Sequence, residues 1–344
     1  MSHPRTGLLA AGNFIVDHVK VIDDYPEQDM LTFIRRETTS NGGGPYNVLK
    51  NLAAMQAGFP LAALGLVGAD ENGQWITADC KTHGICTLQL RQTREAPTSY
   101  TDAMTVEKSG RRTFFHQPGA NALLGAGDFD FTLTKHRILH LGYLMLLEQL
   151  DRFEDGRTGA AKVLERAKRA GLETSVDLVS TGHPHYREIV RSALPYTDHL
   201  LVNEVEAGKI VGRRLQQGDI PGLCAAAEEL MEWVGQAVVI HFEDGAVAIA
   251  EGGAVQVVGS LQLPDGFSRG ATGAGDAFAA GYLYGLHEGW PMRERLDLAV
   301  CTAAASLTHP TPSAGLRPVK ECLALAEEHP QRALHPKGSL LASS

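Results

Sequence analysis

The sequence has few cysteines, no surplus of basic residues and no uninterrupted apolar run, and each absence argues against a class of protein. Its five cysteines are scattered, odd in number and without CxxC spacing, which argues against a disulfide framework or zinc site and predicts a reducing, cytoplasmic compartment. Acidic residues outnumber basic ones, 40 to 31, so no general nucleic-acid-binding surface is expected. The most apolar window, residues 52–69, contains Gln56, Gly58, Pro60 and Gly65, which predicts a helix–turn–strand unit and no membrane span.

What the chain does have is a large apolar fraction arranged in alternating strands and helices. Hydrophobic residues make up 44% and charged residues 21% of the 344 residues, enough for a sizeable buried core. From about residue 137, apolar strand-like runs such as ILHLGYLML alternate with amphipathic helical segments. This alternation predicts an α/β fold with a doubly wound, mostly parallel sheet flanked by helices and a ligand site at the carboxyl ends of its strands.

Four other segments alternate polar and apolar residues and predict a small β-sheet that projects from the core. Two lie near residues 16–22 and 31–37, and two flank KSGR between residues 98 and 116. Open strand edges in such a sheet also suggest a homodimer formed through it. The expected organisation is an α/β core of residues 7–15, 41–97 and 117–330, a small β-sheet of residues 16–40 and 98–116 inserted in the core, and a loose tail of residues 331–344.

The most informative stretch is GATGAGD, residues 270–276, followed by the amphipathic run AFAAGYLYGL. Glycines that open a helix leave its first N–H groups unpaired at the positive end of the helix dipole, which suits a transferring phosphoryl group. Asp276, at the start of this helix, is placed to accept a proton from an attacking hydroxyl. A glycine-rich loop with an aspartate N-cap is the competing interpretation of the same residues.

A second glycine-rich stretch, NGGGPYN at residues 41–47, lies at a predicted junction between a turn and a helix. Glycines let a ligand approach the backbone closely, and the amide of Asn47 can donate to and accept from sugar hydroxyls. Asp17, after the first strand, can accept hydrogen bonds from two adjacent hydroxyls. Taken singly, a glycine turn or a helix cap explains these residues as well as a binding site does.

Taken together, these motifs resemble the two signatures of the ribokinase-like (PfkB) carbohydrate kinases. GGGPYN, with the helix and LGLVGADENG that follow, is similar to the first signature, and ATGAGDAFAAGYL is similar to the second. GNFIVD, FFHQPGAN and LVNEVEAG are similar to other family landmarks, and the resemblance covers roughly residues 7–320. It implies ATP-dependent phosphorylation of a hydroxyl on a sugar or sugar-like small molecule. The small sheet would be the family's lid, which closes over the acceptor.

The resemblance also implies roles for individual residues. Asp276 would be the catalytic base, beside an anion hole formed by Gly273, Ala274 and Gly275. The acceptor would be held by Asp17, Gly43, Gly44 and Asn47. The nucleotide would be held by Asn203, Glu206, Thr272 and Gly245, the first two lying near the Mg²⁺ that arrives with ATP. A solvated helix carboxylate is the competing interpretation of Glu206.

The chain departs from the family pattern at several positions. Gly270 stands where many relatives carry an aspartate that helps to order a monovalent cation, which puts potassium dependence in doubt. Phe242 replaces a glycine of the nucleotide loop, which retains Gly245, so the phosphate donor is left open. Asp177 keeps one half of a family aspartate–asparagine pair, and Val179 occupies the place of the asparagine.

Other functions remain as alternatives. A nucleoside kinase would surround its base with aromatic side chains, for which the candidates are Tyr46, Phe33, Tyr100 and Phe115. A regulatory protein on the same fold would bind nucleotide or sugar without turnover. A dinucleotide oxidoreductase is disfavoured, since GNFIVD and not GxGxxG follows the first strand. No structural metal is expected, because the fourteen histidines show no metal-helix spacing.

Overall fold

The computed structural model describes residues 5–109 and 111–334. The strands are β1 (Leu8–Gly12), β2 (Ile15–Ile22), β3 (Ile34–Gly42), β4 (Leu61–Gly68), β5 (Cys86–Thr93), β6 (Tyr100–Val106), β7 (Arg112–Gln117), β8 (Ile138–Leu144), β9 (Phe153–Glu154), β10 (Arg157–Thr158), β11 (Glu173–Leu178), β12 (His199–Asn203), β13 (Ala237–Phe242), β14 (Gly245–Ala250) and β15 (Gln256–Gly259). The α-helices are α1 (Gly44–Ala54), α2 (Glu71–Thr82), α3 (Glu148–Asp151), α4 (Gly159–Arg169), α5 (Tyr186–Ala193), α6 (Glu204–Val211), α7 (Ile220–Met231), α8 (Ala274–His287), α9 (Met292–Ser306) and α10 (Val319–Glu328).

Nine strands form the central sheet, in the order β15-β14-β13-β12-β11-β8-β1-β4-β5. The pairs from β5 to β13 run parallel, and β14 and β15 complete the sheet with antiparallel pairings. Near the middle, Leu8 of β1 lies between Leu61 of β4 and Ile138 of β8. The predicted mostly parallel α/β sheet is therefore confirmed.

Both faces of this sheet are covered by helices, as the apolar character of its strands requires. In β1, successive side chains point to opposite faces. Leu9 and Ala11 join a core cluster packed under α4, α5, α6 and α7. Leu8 and Ala10 join a second cluster packed under α1, α2, α8, α9 and α10. The carboxyl end of the sheet is thus left open between two helical layers, where a ligand can enter.

The smaller sheet, which we call the lid, has the order β3-β2-β6-β7. Its β2–β3 and β6–β7 pairs are antiparallel, and β2 and β6 run parallel. The turn between β6 and β7 contains Gly110, which lies outside the described residues. The strand predicted at residues 31–37 was placed too early, since β3 begins at Ile34. Exposure of the first six residues of β3 explains the error, because a strand exposed on both faces needs no apolar alternation.

Two parts of the chain differ from expectation. The edge strand β5 has no predicted counterpart, since its alternation is weak and most of its side chains are exposed or half-buried. Residues 331–334, expected in a loose tail, lie along the core: Gln331 bridges to Leu261, and the Arg332 N–H donates to the Ser260 carbonyl at 2.8 Å. The remainder of the predicted tail lies outside the described residues. Across the part of the chain that the structure describes, no helix combines the length and apolar character needed to cross a membrane.

Helix α8, which begins at the second glycine-rich motif, is packed closely against α9. A Cβ atom added at Gly281 would lie 2.4 Å from the Thr302 Oγ1 and 2.8 Å from the Ala299 Cα. At Gly285 an added Cβ would lie 3.0 Å from the Arg295 Cγ. These two glycines let the backbones approach, so they help to fix the helix that carries Asp276.

We expect Gly281→Ala to destabilise the protein although alanine favours a helix by about 1 kcal/mol over glycine. The added methyl group would overlap a backbone atom of α9, and overpacking of this kind costs about 1–3 kcal/mol. Chemical denaturation measures the change in the free energy of unfolding. Gly127→Ala is the matched control, since an added Cβ there meets nothing within 4 Å. Equal stability of the two variants would contradict the role given to the α8–α9 contact.

Candidate active site

The start of α8 exposes unpaired backbone donors. Its N-cap is Gly273, in the left-handed conformation with φ 77°, and no side chain caps the helix. An added Cβ at Gly273 would lie 2.5 Å from the Pro312 Cβ, so both the conformation and the packing require glycine. Asp276 lies inside the first turn and is not the N-cap, so the competing interpretation of this motif as an aspartate-capped loop is wrong. The first N–H groups of α8 remain available to an anion.

The carboxylate of Asp276 is buried and held by two donors. The Tyr143 hydroxyl donates to Oδ1 at 2.7 Å, and the Asn47 Nδ2 donates to Oδ2 at 2.7 Å. Burial raises the pKa of Asp276 to about 6, and the two hydrogen bonds act in the opposite direction. A carboxylate with this environment is ionised at neutral pH yet basic enough to take a proton from a hydroxyl.

The Asn47 amide is itself oriented by a second asparagine. The Asn41 Nδ2 donates to the Asn47 Oδ1 at 2.6 Å and lies 2.9 Å from the Ser313 Oγ, to which it also donates. Asn41 belongs to the end of β3, whereas Ser313 follows α9. With its oxygen engaged by Asn41, the Asn47 amide turns its NH₂ group toward Asp276.

The glycines of residues 42–44 make room for the side chains around them. An added Cβ at Gly42 would lie 2.3 Å from the Asp17 Oδ1. Gly43 has φ +86°, and an added Cβ would lie 2.4 Å from the Asn13 carbonyl oxygen. At Gly44 it would lie 2.8 Å from the Tyr143 Cε1. Gly44 therefore contacts the ring of Tyr143. Gly43, but not Gly44, lines the cavity between the central sheet and the lid.

Asp17, on β2, is a second buried carboxylate near Asp276. Burial is the main cause that raises its pKa, to about 7, and the nearby charge of Asp276 acts in the same direction. A hydrogen bond with Thr101 and the charge of Arg112 oppose this rise. Asp17 therefore faces the cavity as a group that readily accepts hydrogen bonds from a polar ligand.

Most of the sequence-predicted site residues meet around one cavity of about 700 Å³, which we call the acceptor cavity. It lies between the carboxyl end of the sheet and the lid. The predicted residues in its wall are Asp17, Gly43, Asn47, Asn203, Glu206, Thr272, Gly273, Ala274, Gly275 and Asp276.

A second cavity of about 610 Å³ lies on the other side of the glycine-rich turn, and we call it the donor cavity. Both cavities share four residues at their junction: His241, Ala271, Ala274 and Gly275. The donor cavity has an apolar wall suited to a flat aromatic base, formed by Leu261, Leu263, Phe278, Val300, Ala303, Ala304 and Leu307. Gly245 lines the donor cavity and is absent from the wall of the acceptor cavity. The side chain of Phe242 also lies in the donor-cavity wall and is 8% exposed. Its ring therefore does not close the donor cavity.

Asn203 and Glu206 form a reciprocal capping box at the start of α6. The Glu206 N–H donates to the Asn203 Oδ1, and the Asn203 N–H donates to the Glu206 Oε2, each at 2.9 Å. The Ser180 hydroxyl donates to the Glu206 Oε1 at 3.0 Å. Glu206 is 3% exposed, so its interpretation as a solvated helix carboxylate is wrong. Burial raises its pKa to about 7.

A fourth carboxyl group, Asp177, lies in the same wall as Asp276, Asp17 and Glu206, at the end of β11. Burial raises its pKa well above the ordinary value, and the charges of Glu206 and Asp276 raise it further. Within the described residues, no group of three or more His, Cys, Asp or Glu is arranged to hold a metal ion by itself. Two neighbouring carboxylates beside a phosphate site do fit a hydrated Mg²⁺, which keeps several waters and binds through one or two carboxylates and substrate phosphates.

Two residues of this site were missed by the sequence reasoning. Tyr143 reads as one more apolar residue of the buried strand β8, and nothing in the local pattern indicates that its hydroxyl reaches Asp276. Arg112 begins the second strand of the predicted lid hairpin and lines the acceptor cavity. Since lids commonly carry exposed basic residues, its sequence position did not distinguish it from Arg111. Asn41 belongs to the NGGGPYN motif, but the sequence analysis predicted no function for it.

Comparison with known proteins agrees with this geometry. The family model described as pfkB family carbohydrate kinase matches residues 8–318. An ATP-dependent ribose-1-phosphate kinase from Halopiger xanaduensis is 28% identical over 283 residues, covering 80% of this chain and 83% of that protein. A fructokinase from Escherichia coli is 28% identical over 307 residues, covering 84% and 91%.

The fold also has a counterpart among solved structures. Arabidopsis thaliana ribokinase, complexed with ribose and ATP, superposes with a TM-score of 0.76 over 94% of this chain and 99% of that one, at 20% identity. That identity shows a shared fold, while the family model spans both glycine-rich motifs and the strands between them. The dinucleotide oxidoreductase alternative is thereby set aside. The chain belongs to the pfkB family of carbohydrate kinases.

Proposed function

We propose that this chain transfers the γ-phosphoryl group of ATP to a hydroxyl of a sugar or sugar-like molecule, with Asp276 as the base. The observation that carries this proposal is the Asp276 carboxylate, buried at the start of α8, held by Tyr143 and Asn47 and adjacent to unpaired helix N–H groups. Phosphoryl transfer needs positioning, charge neutralisation and a proton acceptor. All three are available at this helix start.

The nucleotide would occupy the donor cavity, with its base against the apolar wall and its phosphates on the glycine-rich turn. The N–H groups near Gly273, Ala274 and Gly275 would neutralise charge on the transferring group. Mg²⁺ bound with ATP would supply further charge neutralisation, held through water near Asn203, Glu206 and Asp177. The two buried carboxyl groups at this place, Glu206 and Asp177, have raised pKa values, which supports this placement because a divalent cation would favour their ionised forms.

The acceptor would lie in the acceptor cavity, with its reacting hydroxyl at Asp276 and neighbouring hydroxyls at Asp17 and Asn47. The relatives named above phosphorylate sugars, as their names state, which supports a sugar-like acceptor. A lid over this cavity would exclude water from the phosphoryl group. The departures at Gly270 and Phe242 leave potassium dependence and donor preference as predictions.

The nucleoside-kinase alternative receives less support from the cavity. None of the four aromatic candidates, Tyr46, Phe33, Tyr100 and Phe115, lies in the described wall of the acceptor cavity. Tyr46 is fully buried in the core, and Phe33 and Phe115 are 62% and 50% exposed. The aromatic side chains that the lid does place in the wall are Phe114 and His116, neither of which was among these candidates.

We expect Asp276→Asn to lower kcat by about 10²- to 10⁴-fold, since general base catalysis contributes that much. ADP release with MgATP and a panel of sugars, sugar acids, sugar phosphates and nucleosides measures the effect. ATP binding by the variant should be retained. Asp130→Asn, on the exposed Asp130, is the matched control. Nucleotide binding without turnover on any acceptor would favour the catalytically silent regulatory protein.

The pH dependence should report the Asp276 carboxylate. The base must be ionised, so kcat/KM, which reports the free enzyme, is expected to rise with pH up to about 6, the raised pKa of Asp276, and then level off. Because the Tyr143 hydrogen bond lowers this pKa, Tyr143→Phe should move the midpoint to higher pH. Tyr46→Phe is the control, since that hydroxyl donates to Asp79 and lies outside the cavity. A midpoint unmoved by Tyr143→Phe would argue against Asp276 as the titrating base.

We also propose a homodimer formed through the lid. Seven of the large apolar side chains exposed on the described surface lie in or beside its strands: Tyr25, Met30, Leu31, Phe33, Ile34, Phe114 and Phe115. The edge strands β3 and β7 offer unpaired backbone groups beside them. A second copy of the chain would cover both features.

The cytoplasmic location stays a prediction that rests on cysteine usage.

Sedimentation velocity should therefore give twice the mass of the chain. Leu31→Asp, at a side chain that is 78% exposed on the lid, should yield the monomer. Leu88→Asp, at an equally apolar position on the core edge that is 69% exposed, should leave the dimer intact. A monomer at every concentration of the unmodified protein would refute the proposed interface.

A further inference from the structure

We propose that Arg112 binds a negatively charged group of the acceptor, so that the substrate is an anionic sugar, either phosphorylated or carboxylated. This inference rests on the proposed kinase function and names the acceptor class of the same site. The inference starts from the charges in the wall of the acceptor cavity, where acidic side chains outnumber basic ones.

The acceptor-cavity wall contains four acidic side chains and one permanently charged basic one. The acidic residues are Asp17, Asp177, Glu206 and Asp276, and the basic residue is Arg112. Two histidines also line the wall, His116 and His241, and burial lowers the pKa of each, that of His241 to about 4. Both histidines are therefore neutral at pH 7. Among the described lining residues, Arg112 is the side chain that carries a positive charge at neutral pH.

The strand β7 aims Arg112 at the cavity. Alternate residues of a strand point to the same side, and Arg112, Phe114 and His116 all lie in the cavity wall. Pairing with β6 sets this register, with Thr105 opposite Arg112 and Thr101 opposite His116. The guanidinium is thus presented by regular secondary structure, and its direction follows from the strand.

Arg112 differs from Arg35 and Lys20, two other basic residues of the lid, in having no bonded partner. Arg35 pairs with Asp23 at 2.5 Å, and Lys20 pairs with Asp102. Within the described residues, Arg112 forms neither an ion pair nor a side-chain hydrogen bond. It is half-buried, and burial lowers its pKa. A partly desolvated guanidinium without a partner is unfavourable by itself, and its planar donors match a carboxylate or phosphate.

Arg112 shares the wall of the acceptor cavity with Asp17 and Asp276. Asp17 is close enough to both Asp276 and Arg112 for their charges to shift its pKa. A sugar with hydroxyls at Asp276 and Asp17 would therefore occupy the same cavity as the guanidinium. The guanidinium lies beside Gly270, where an added Cβ would be 3.2 Å from the Arg112 Nη2.

The competing interpretation is that Arg112 serves the transferring phosphoryl group or merely balances Asp17. These interpretations predict equal effects on charged and neutral acceptors. The proposal predicts a selective effect, because an uncharged acceptor has no group for the guanidinium. The two possible sources of the anionic group, phosphate and carboxylate, can be compared in the same experiment.

The test is isothermal titration calorimetry of the full chain without nucleotide, so that it does not depend on turnover. The ligands are D-ribose, D-ribose 1-phosphate, D-ribose 5-phosphate, D-gluconate and D-fructose. We expect at least one anionic sugar to bind about tenfold or more tightly than the neutral sugars. Arg112→Met should remove that preference and leave the affinity for neutral sugars unchanged, whereas Arg112→Lys should retain part of it. Arg35→Met, on the exposed face of the lid, is the control.

Several results would overturn the proposal. These are equal or tighter binding of neutral sugars, no binding of any anionic sugar, or an equal loss for both classes in Arg112→Met. Comparing the affinities of the sugar phosphates and of gluconate identifies the anionic group that Arg112 binds, a phosphate or a carboxylate. Selective binding of an anionic sugar without ADP release on adding MgATP would sink the kinase function yet uphold the role of Arg112. Conversely, turnover restricted to neutral sugars would support the kinase and refute the anion site.

Discussion

The buried carboxylate of Asp276 is the constraint on which the rest of the site depends. Removing a carboxylate from water is unfavourable, so the fold must supply donors that keep it ionised and oriented. Tyr143 and Asn47 supply them from β8 and α1. The glycines around these residues follow from that demand, since Gly44 admits the Tyr143 ring and Gly273 admits the turn that starts α8. The base, the anion cradle and the acceptor wall therefore form one interlocked unit.

Much of this unit could be predicted from local sequence. Glycines 42–44 and 273–275 mark turns that lead into helices, and the predicted roles of Asp276 and Asn47 required only helix-start chemistry. What escaped prediction depends on distant packing. Tyr143 lies in a strand whose pattern indicates burial but not the direction of a hydroxyl, and the alternation at residues 31–37 located β3 but not its bounds, Ile34–Gly42. Arg112 lies in the predicted hairpin, but the sequence does not show that its side chain faces the cavity. That direction follows from the register of β7 with β6.

The capping box of Asn203 and Glu206 illustrates how one motif can satisfy both structure and chemistry. Each side chain satisfies a backbone N–H of the other at the start of α6, so the pair would be retained for helix stability alone. Both nevertheless lie in the wall of the acceptor cavity, and Glu206 is buried beside Asp177. The match of LVNEVEAG to the family pattern therefore indicates a helix start in any case, and the proposed role of Asn203 and Glu206 in nucleotide binding depends on their position beside the glycine-rich turn.

The hydrogen bond between Asn41 and Asn47 joins two parts of the molecule with different freedom. Asn41 ends the lid strand β3, while Asn47 belongs to the core helix that positions the base. A displacement of the lid that broke this bond would release the Asn47 amide, and the carboxylate would lose one of the two donors that lower its pKa. The proton affinity of the Asp276 carboxylate therefore depends on the orientation of an amide that a residue of the small sheet holds, two hydrogen bonds away.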